Sequence, residues 1–80
     1  MARSFEKLVS GKYVTHYNGT AILVGRTEKG DWLAETAKTE IHPVTKTRRY
    51  VPETNYKRHI YDHNTTRKAA VEMVIYLMEN

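Results

Sequence analysis

Residues 12–27 constrain the fold more than any other part of the chain. They read Lys-Tyr-Val-Thr-His-Tyr, then Asn18-Gly19, then Thr-Ala-Ile-Leu-Val-Gly-Arg-Thr. Asn-Gly tolerates positive φ at both central positions of a type I′ turn, and that turn matches the twist of two paired strands. A hairpin closed there has one register. Tyr17 opposes Thr20, Thr15 opposes Ile22 and Tyr13 opposes Val24, while Val14 meets Leu23 and His16 meets Ala21 on the opposite face. Both faces carry apolar side chains, so the sheet is expected to be covered on one side and covered or used on the other.

The remaining segments arrange themselves around this hairpin. Residues 4–10 read as a short helix, because Phe5, Leu8 and Val9 fall at i, i+3 and i+4, Ser4 suits the cap and Gly11 the left-handed position beyond the end. A helix that short must dock on something. Residues 27–30 form a second turn, with Gly30 as its permissive residue. Residues 31–38 make a third strand with Trp32, Ala34 and Thr36 on one side and Leu33, Glu35 and Ala37 on the other, and either side could be core. Trp32 reads first as a core anchor, with stacking or interface contact as the alternative. Residues 39–47 form a connection bent by Pro43, residues 48–51 a short strand before Pro52, and residues 56–61 a further strand.

Residues 66–79 are the longest periodic segment, capped by Asn64 or Thr65. Ala70, Val71, Met73, Val74, Ile75, Leu77 and Met78 cover most of the circumference, leaving a narrow polar stripe of Lys68, Glu72 and Glu79. Such a helix must be buried on more than one side. The expected class is α+β: an antiparallel sheet of three to five strands (a β-meander plus a basic strand or ribbon), with the long C-terminal helix packed on one face and a short N-terminal helix. Residues 1–80 are expected to make one domain.

Three strands followed by a helix, with Gly-Asp-Trp-Leu-Ala-Glu at 30–35 and an alanine-rich start to the last helix, is similar in layout to AP2-type and integrase arm-binding domains, which are small DNA binders. The N-terminal helix and the insertion around Pro43 and Pro52 depart from that layout.

Composition narrows the function classes. The chain has 80 residues and no cysteine, so neither a disulfide nor a thiolate nucleophile or metal ligand is available. No apolar run approaches the ~18 residues of a membrane span. A charge interrupts the short apolar part of the N-terminus, so no signal peptide is expected. The Asn-x-Thr triplets at Asn18 and Asn64 are then taken as chance. The expected setting is cytoplasmic, the host cytoplasm if the protein is viral, with no membrane partner.

Charge is concentrated in one place. Residues 45–61 hold five of the thirteen lysines and arginines and a single acid, Glu53, so this stretch alone matches the formal net charge of +4. Tyr50, Tyr56 and Tyr61 are interleaved. Cations neutralise phosphates, and flat rings stack on unpaired bases. If residues 48–51 and 56–61 paired, they would form a two-stranded ribbon, one of the elements that enter a major groove. The leading expectation is a non-enzymatic nucleic-acid-binding protein. Lys46, Arg48, Arg49, Lys57, Arg58, Arg67 and Lys68 would contact phosphate, Tyr50 and Tyr56 would stack or pack, and the helix start would offer free N–H groups. The alternative is a small phage- or mobile-element-type protein that binds and inhibits or regulates a host protein, its arginines meeting an acidic surface. The bland reading is a solvated, aggregation-resistant edge.

Other constellations are weaker. His59, Asp62 and His63 straddle an expected strand-to-helix junction, where their spacing does not place them on one face. Glu28, Asp31 and Glu35 are scattered near turns. The glycines follow no phosphate-loop pattern. No catalytic residue, metal site or cofactor is therefore assigned. Val71, Val74, Ile75 and Met78 form one continuous apolar stripe beside a second of Ala70, Met73 and Leu77. One stripe suffices to pack on a sheet, and the surplus suggests a homodimer or partner seam.

Overall fold

The computed structural model of the protein describes residues 4–53, 60–64 and 66–80. Tyr56, Lys57, Arg58, His59 and Thr65 lie outside the described residues. The elements in order are β1 (Glu6–Val9), β2 (Lys12–Tyr17), β3 (Thr20–Arg26), β4 (Trp32–Ile41), β5 (Arg48–Pro52), β6 (Ile60–Asn64) and α1 (Arg67–Glu79). The class is α+β. Strands β1 to β5 pair in sequence order as an antiparallel sheet, and β6 adds to β4.

The hairpin closes as its turn residues dictate. Asn18 and Gly19 take φ of 49° and 79°, and β2 meets β3 with Tyr13 opposite Val24, Thr15 opposite Ile22 and Tyr17 opposite Thr20. The register carries on into β4, where Ala34 faces Val24 and Thr36 faces Ile22. Alternation then sorts the sheet into two faces. On one, Ile22, Val24 and Ala34 are buried beneath Ala70, Val71, Val74 and Ile75 of α1, with Phe5, Tyr13, Tyr17 and Trp32 packed at the margin. The Trp32 side is thus the helix-covered side. Trp32 itself is half-buried, its ring 6.1 Å from that of Tyr13. On the other face Val14, Ala21 and Ala37 form a smaller cluster flanked by Leu23 and Tyr50.

The N-terminal segment corrects the expectation of a helix at residues 4–10. Glu6–Val9 is a strand paired with β2, Glu6 opposite Val14 and Lys7 opposite Tyr13, with an irregularity between Lys7 and Val9. A helix of six or seven residues leaves most of its backbone groups without intrahelical partners. Beside β2 the same groups complete a ladder and cover an otherwise open edge. Gly11, at φ 78°, supplies the left-handed residue of the turn into β2. Glycine there signals a helix end and a tight turn equally well.

A second correction concerns the basic ribbon. Strands β5 and β6 do not pair with one another among the described residues. Both pair with β4 along one edge: β6 beside Trp32, Ala34 and Glu35, β5 beside residues 37–41. Helix α1 follows β6 rather than the third strand of the meander, which departs from the layout of the small DNA binders. Its cap is Thr66, whose side chain accepts the Ala69 N–H at 3.1 Å, not Asn64, which ends β6, nor Thr65.

The turn gives a direct test of the register argument. A Cβ at Gly19 would meet nothing within 4 Å, so Gly19→Ala is opposed only by the left-handed backbone. Urea unfolding should show a loss of about 1–2 kcal/mol, with the binding properties below unaltered.

Candidate nucleic-acid interface

Strand β4 is longer than its neighbours allow it to be covered. Its pairing with β3 ends at Ala37 opposite Ala21. Beyond that point, among the described residues, it pairs only with β5: Lys38 with Val51, Thr39 with Tyr50, Glu40 with Arg49 and Ile41 with Arg48. The hairpin β4–β5 therefore leaves the sheet as a two-stranded arm, and every residue from 38 to 49 except Glu40 is exposed. This ribbon is β5 with the end of β4, not the pairing of residues 48–51 with 56–61 expected from the basic stretch, of which residues 56–59 lie outside the described residues.

The tip is a closed structure of its own. The His42 N–H donates to the Thr47 carbonyl and the Lys46 N–H to the His42 carbonyl, both at 2.9 Å. The His42 side chain turns back so that Nδ1 accepts from the Val44 and Thr45 N–H groups, each at 3.2 Å. The Thr47 hydroxyl donates to Thr45 Oγ1 at 2.8 Å. Lys46 sits at φ 60°, a region that a lysine adopts at a cost and Gly or Asn adopts readily.

Residues 38–49 hold Lys38, Lys46, Arg48 and Arg49 against one acid, Glu40. Alternation distributes them. Arg48 lies on the side of Ile41 and Tyr50, Arg49 and Lys38 on the opposite side, and Lys46 at the tip. Glu40 stands between two cations, with Arg49 Nη2 at 2.9 Å and Lys38 Nζ at 3.8 Å. The Arg49 side chain remains 74% exposed despite this contact. An exposed pair is worth little to stability and is readily exchanged for another anion.

The structure therefore divides the residues singled out in the sequence. Lys46, Arg48 and Arg49 come together on the arm. Tyr50 does not stand free for stacking. It is half-buried at the arm's root against the Val14, Ala21 and Ala37 cluster, with its ring edge-on to His16 at 6.1 Å. Arg67 is half-buried at the start of α1, its guanidinium 4.2 Å from the Tyr13 ring centre and 4.8 Å from that of Phe5. It fastens the helix to Phe5, just before β1, and to Tyr13 of β2. Lys68 is exposed on α1. Lys38 is the arm's additional cation. It falls within the segment read as the third strand, and the signal that would have found it is the length of β4 beyond its partner β3.

The stripe proposed as a dimer seam is used within the chain. Val71 and Val74 have no exposure and Ile75 is 8% exposed, all against the chain's own sheet, with Met78 packed beside them. These three side chains are thus spent almost entirely on packing within the chain. On the face opposite α1, a groove of about 450 Å³ is lined by Leu8, Lys12, Leu23, Leu33, Tyr50 and Pro52 among others.

This division predicts different behaviour for two arginines of one sequence signal. Arg67→Ala should cost about 1–2 kcal/mol in urea unfolding, through lost cation–π contact and lost cover on Tyr13 and Phe5. Arg48→Ala should stay within about 0.5 kcal/mol of wild type. Comparison with known protein families, with curated proteins and with solved structures finds no match for this chain.

Proposed function

We propose that the protein is a non-enzymatic nucleic-acid-binding module whose contact element is the β4–β5 arm. One observation carries this reading: a two-stranded ribbon leaves the body of the molecule bearing four cations and one acid, with almost every residue exposed. The described core clusters include no residue from 38 to 49. Lys46, Arg48, Arg49 and Lys38 serve as phosphate contacts. Glu40 holds the Arg49 fork in an extended position until a phosphate oxygen takes its place. Tyr50 locks the root of the arm, so the ribbon is presented at a constant angle to the sheet.

A second reading is a small regulatory protein that binds a host protein. The groove on the open face favours it, because Leu8, Leu23, Leu33 and Tyr50 offer an apolar seat and the arm's cations would meet an acidic rim. Binding to nucleic acid and its salt response separate the two readings.

Fluorescence anisotropy with labelled duplex DNA, single-stranded DNA and RNA at two salt concentrations is the test. Three to four phosphate contacts give a slope of about −3 in log K against log salt on B-DNA. Arg48→Ala with Arg49→Ala should weaken binding and reduce that slope by about 2. No binding at low salt would remove the proposal and leave the protein-partner reading.

Lys46 supplies a sharper check, because its backbone cost and its charge act in opposite directions. Lys46→Asn should leave stability unchanged or raise it by up to about 1 kcal/mol. The same change should weaken nucleic-acid binding and reduce the slope by about 1. A variant that is both more stable and a weaker binder separates function from folding.

A further inference from the structure

The chemistry of the arm's tip differs from that of its sides. Ile41 is 61% exposed and Val44 80% exposed, the latter the most exposed large hydrophobic among the described residues. Pro43 lies between them in sequence. A single exposed valine would be ordinary. Three apolar residues within four positions, at the end of an otherwise cationic arm, make a small apolar point. The His42 ring, by accepting from the Val44 and Thr45 N–H groups, holds that point in one shape.

We infer that the arm's target is duplex DNA and that Pro43 and Val44 wedge between neighbouring base pairs, bending the helix. The inference rests on the proposed nucleic-acid function of the arm. Three features favour a duplex. Arg48 lies on one side of the ribbon and Lys38 and Arg49 on the other, so the arm meets phosphates on both its flanks, as a groove between two backbones provides. No Phe, Tyr or Trp occurs from residue 38 to 49, so the arm has no large ring for stacking unpaired bases. Two-stranded ribbons enter either groove of B-form DNA, whereas the A-form major groove of RNA is too deep and narrow.

The wedge follows from the tip. Apolar side chains that enter the minor groove interrupt stacking between base steps, and the kinked duplex wraps more protein surface. A rigid point is suited to this because little is lost in ordering it on contact. The contact between base faces and Pro43 or Val44 also covers apolar surface that otherwise remains in water.

The test uses the full chain and a short duplex carrying a donor and an acceptor dye at its ends, with 2-aminopurine in the sequence as a stacking probe. Wild-type protein should shorten the end-to-end distance and raise 2-aminopurine fluorescence. The double variant Pro43→Ala/Val44→Ser should lose most of both signals while keeping the wild-type salt slope, because no charge has changed. Its melting temperature reports that it is folded.

Duplex binding with no change in either signal would overturn the wedge and leave the arm's phosphate contacts intact. A double variant that bends DNA as wild type does would overturn the assignment to Pro43 and Val44. Equal or tighter binding to single strands or duplex RNA would overturn the choice of duplex DNA. Failure to bind any nucleic acid at low salt would remove the underlying function itself.

Discussion

Small side chains decide how closely α1 approaches the sheet. Ala34 on β4 and Ala70 on α1 are both fully buried, as are Ile22, Val71 and Val74. Alanine at the contact lets helix and strands close without a gap, and branched neighbours fill the remaining space at interior density. This contact absorbs most of the helix's apolar circumference. It also bears on the limit of the covered region, because α1 lies over β3, β4 and β6 while residues 38–49, Glu40 apart, are exposed. The exposure of the arm is a consequence of where the helix stops.

Cations in this chain do two kinds of work, and contact with an aromatic ring distinguishes them. Arg67 lies half-buried over two aromatic rings and fastens elements distant in sequence. Arg26, though exposed, stands 5.7 Å from the ring centre of Trp32, the neighbour of Tyr13. The arm's cations are exposed, and two of them, Lys38 and Arg49, pair with Glu40. Net charge alone does not separate these groups, and a count of +4 describes neither. The charge density of the arm arises from strand alternation, which sends adjacent Arg48 and Arg49 to opposite sides and so encircles the ribbon rather than painting one face.

Legibility varied along the chain for identifiable reasons. The β2–β3 register was readable because Asn18-Gly19 needs a backbone that only one turn supplies. The C-terminal helix was readable from its periodicity, to within a residue or two of its cap. Residues 4–10 misled because a four-residue strand carries no period long enough to tell it from a helical turn, and because Gly11 serves either ending. The arm was legible as a basic segment but not as a hairpin with β4. Residues 39–47 look like a loop around Pro43, and their first residues become strand only because β5 lies alongside.

Local conformational preference and side-chain period are properties of neighbouring residues, so the chain itself determined the turn, the two-faced strands, the amphipathic helix and the clustering of positive charge. Which strands share the outer edge of β4, that the N-terminus completes the sheet, and which arginines remain open to solvent were decided only in three dimensions. Those outcomes depend on segments competing for the same backbone donors and acceptors and on how far one helix extends over the sheet. Neither is a quantity that a stretch of sequence contains on its own.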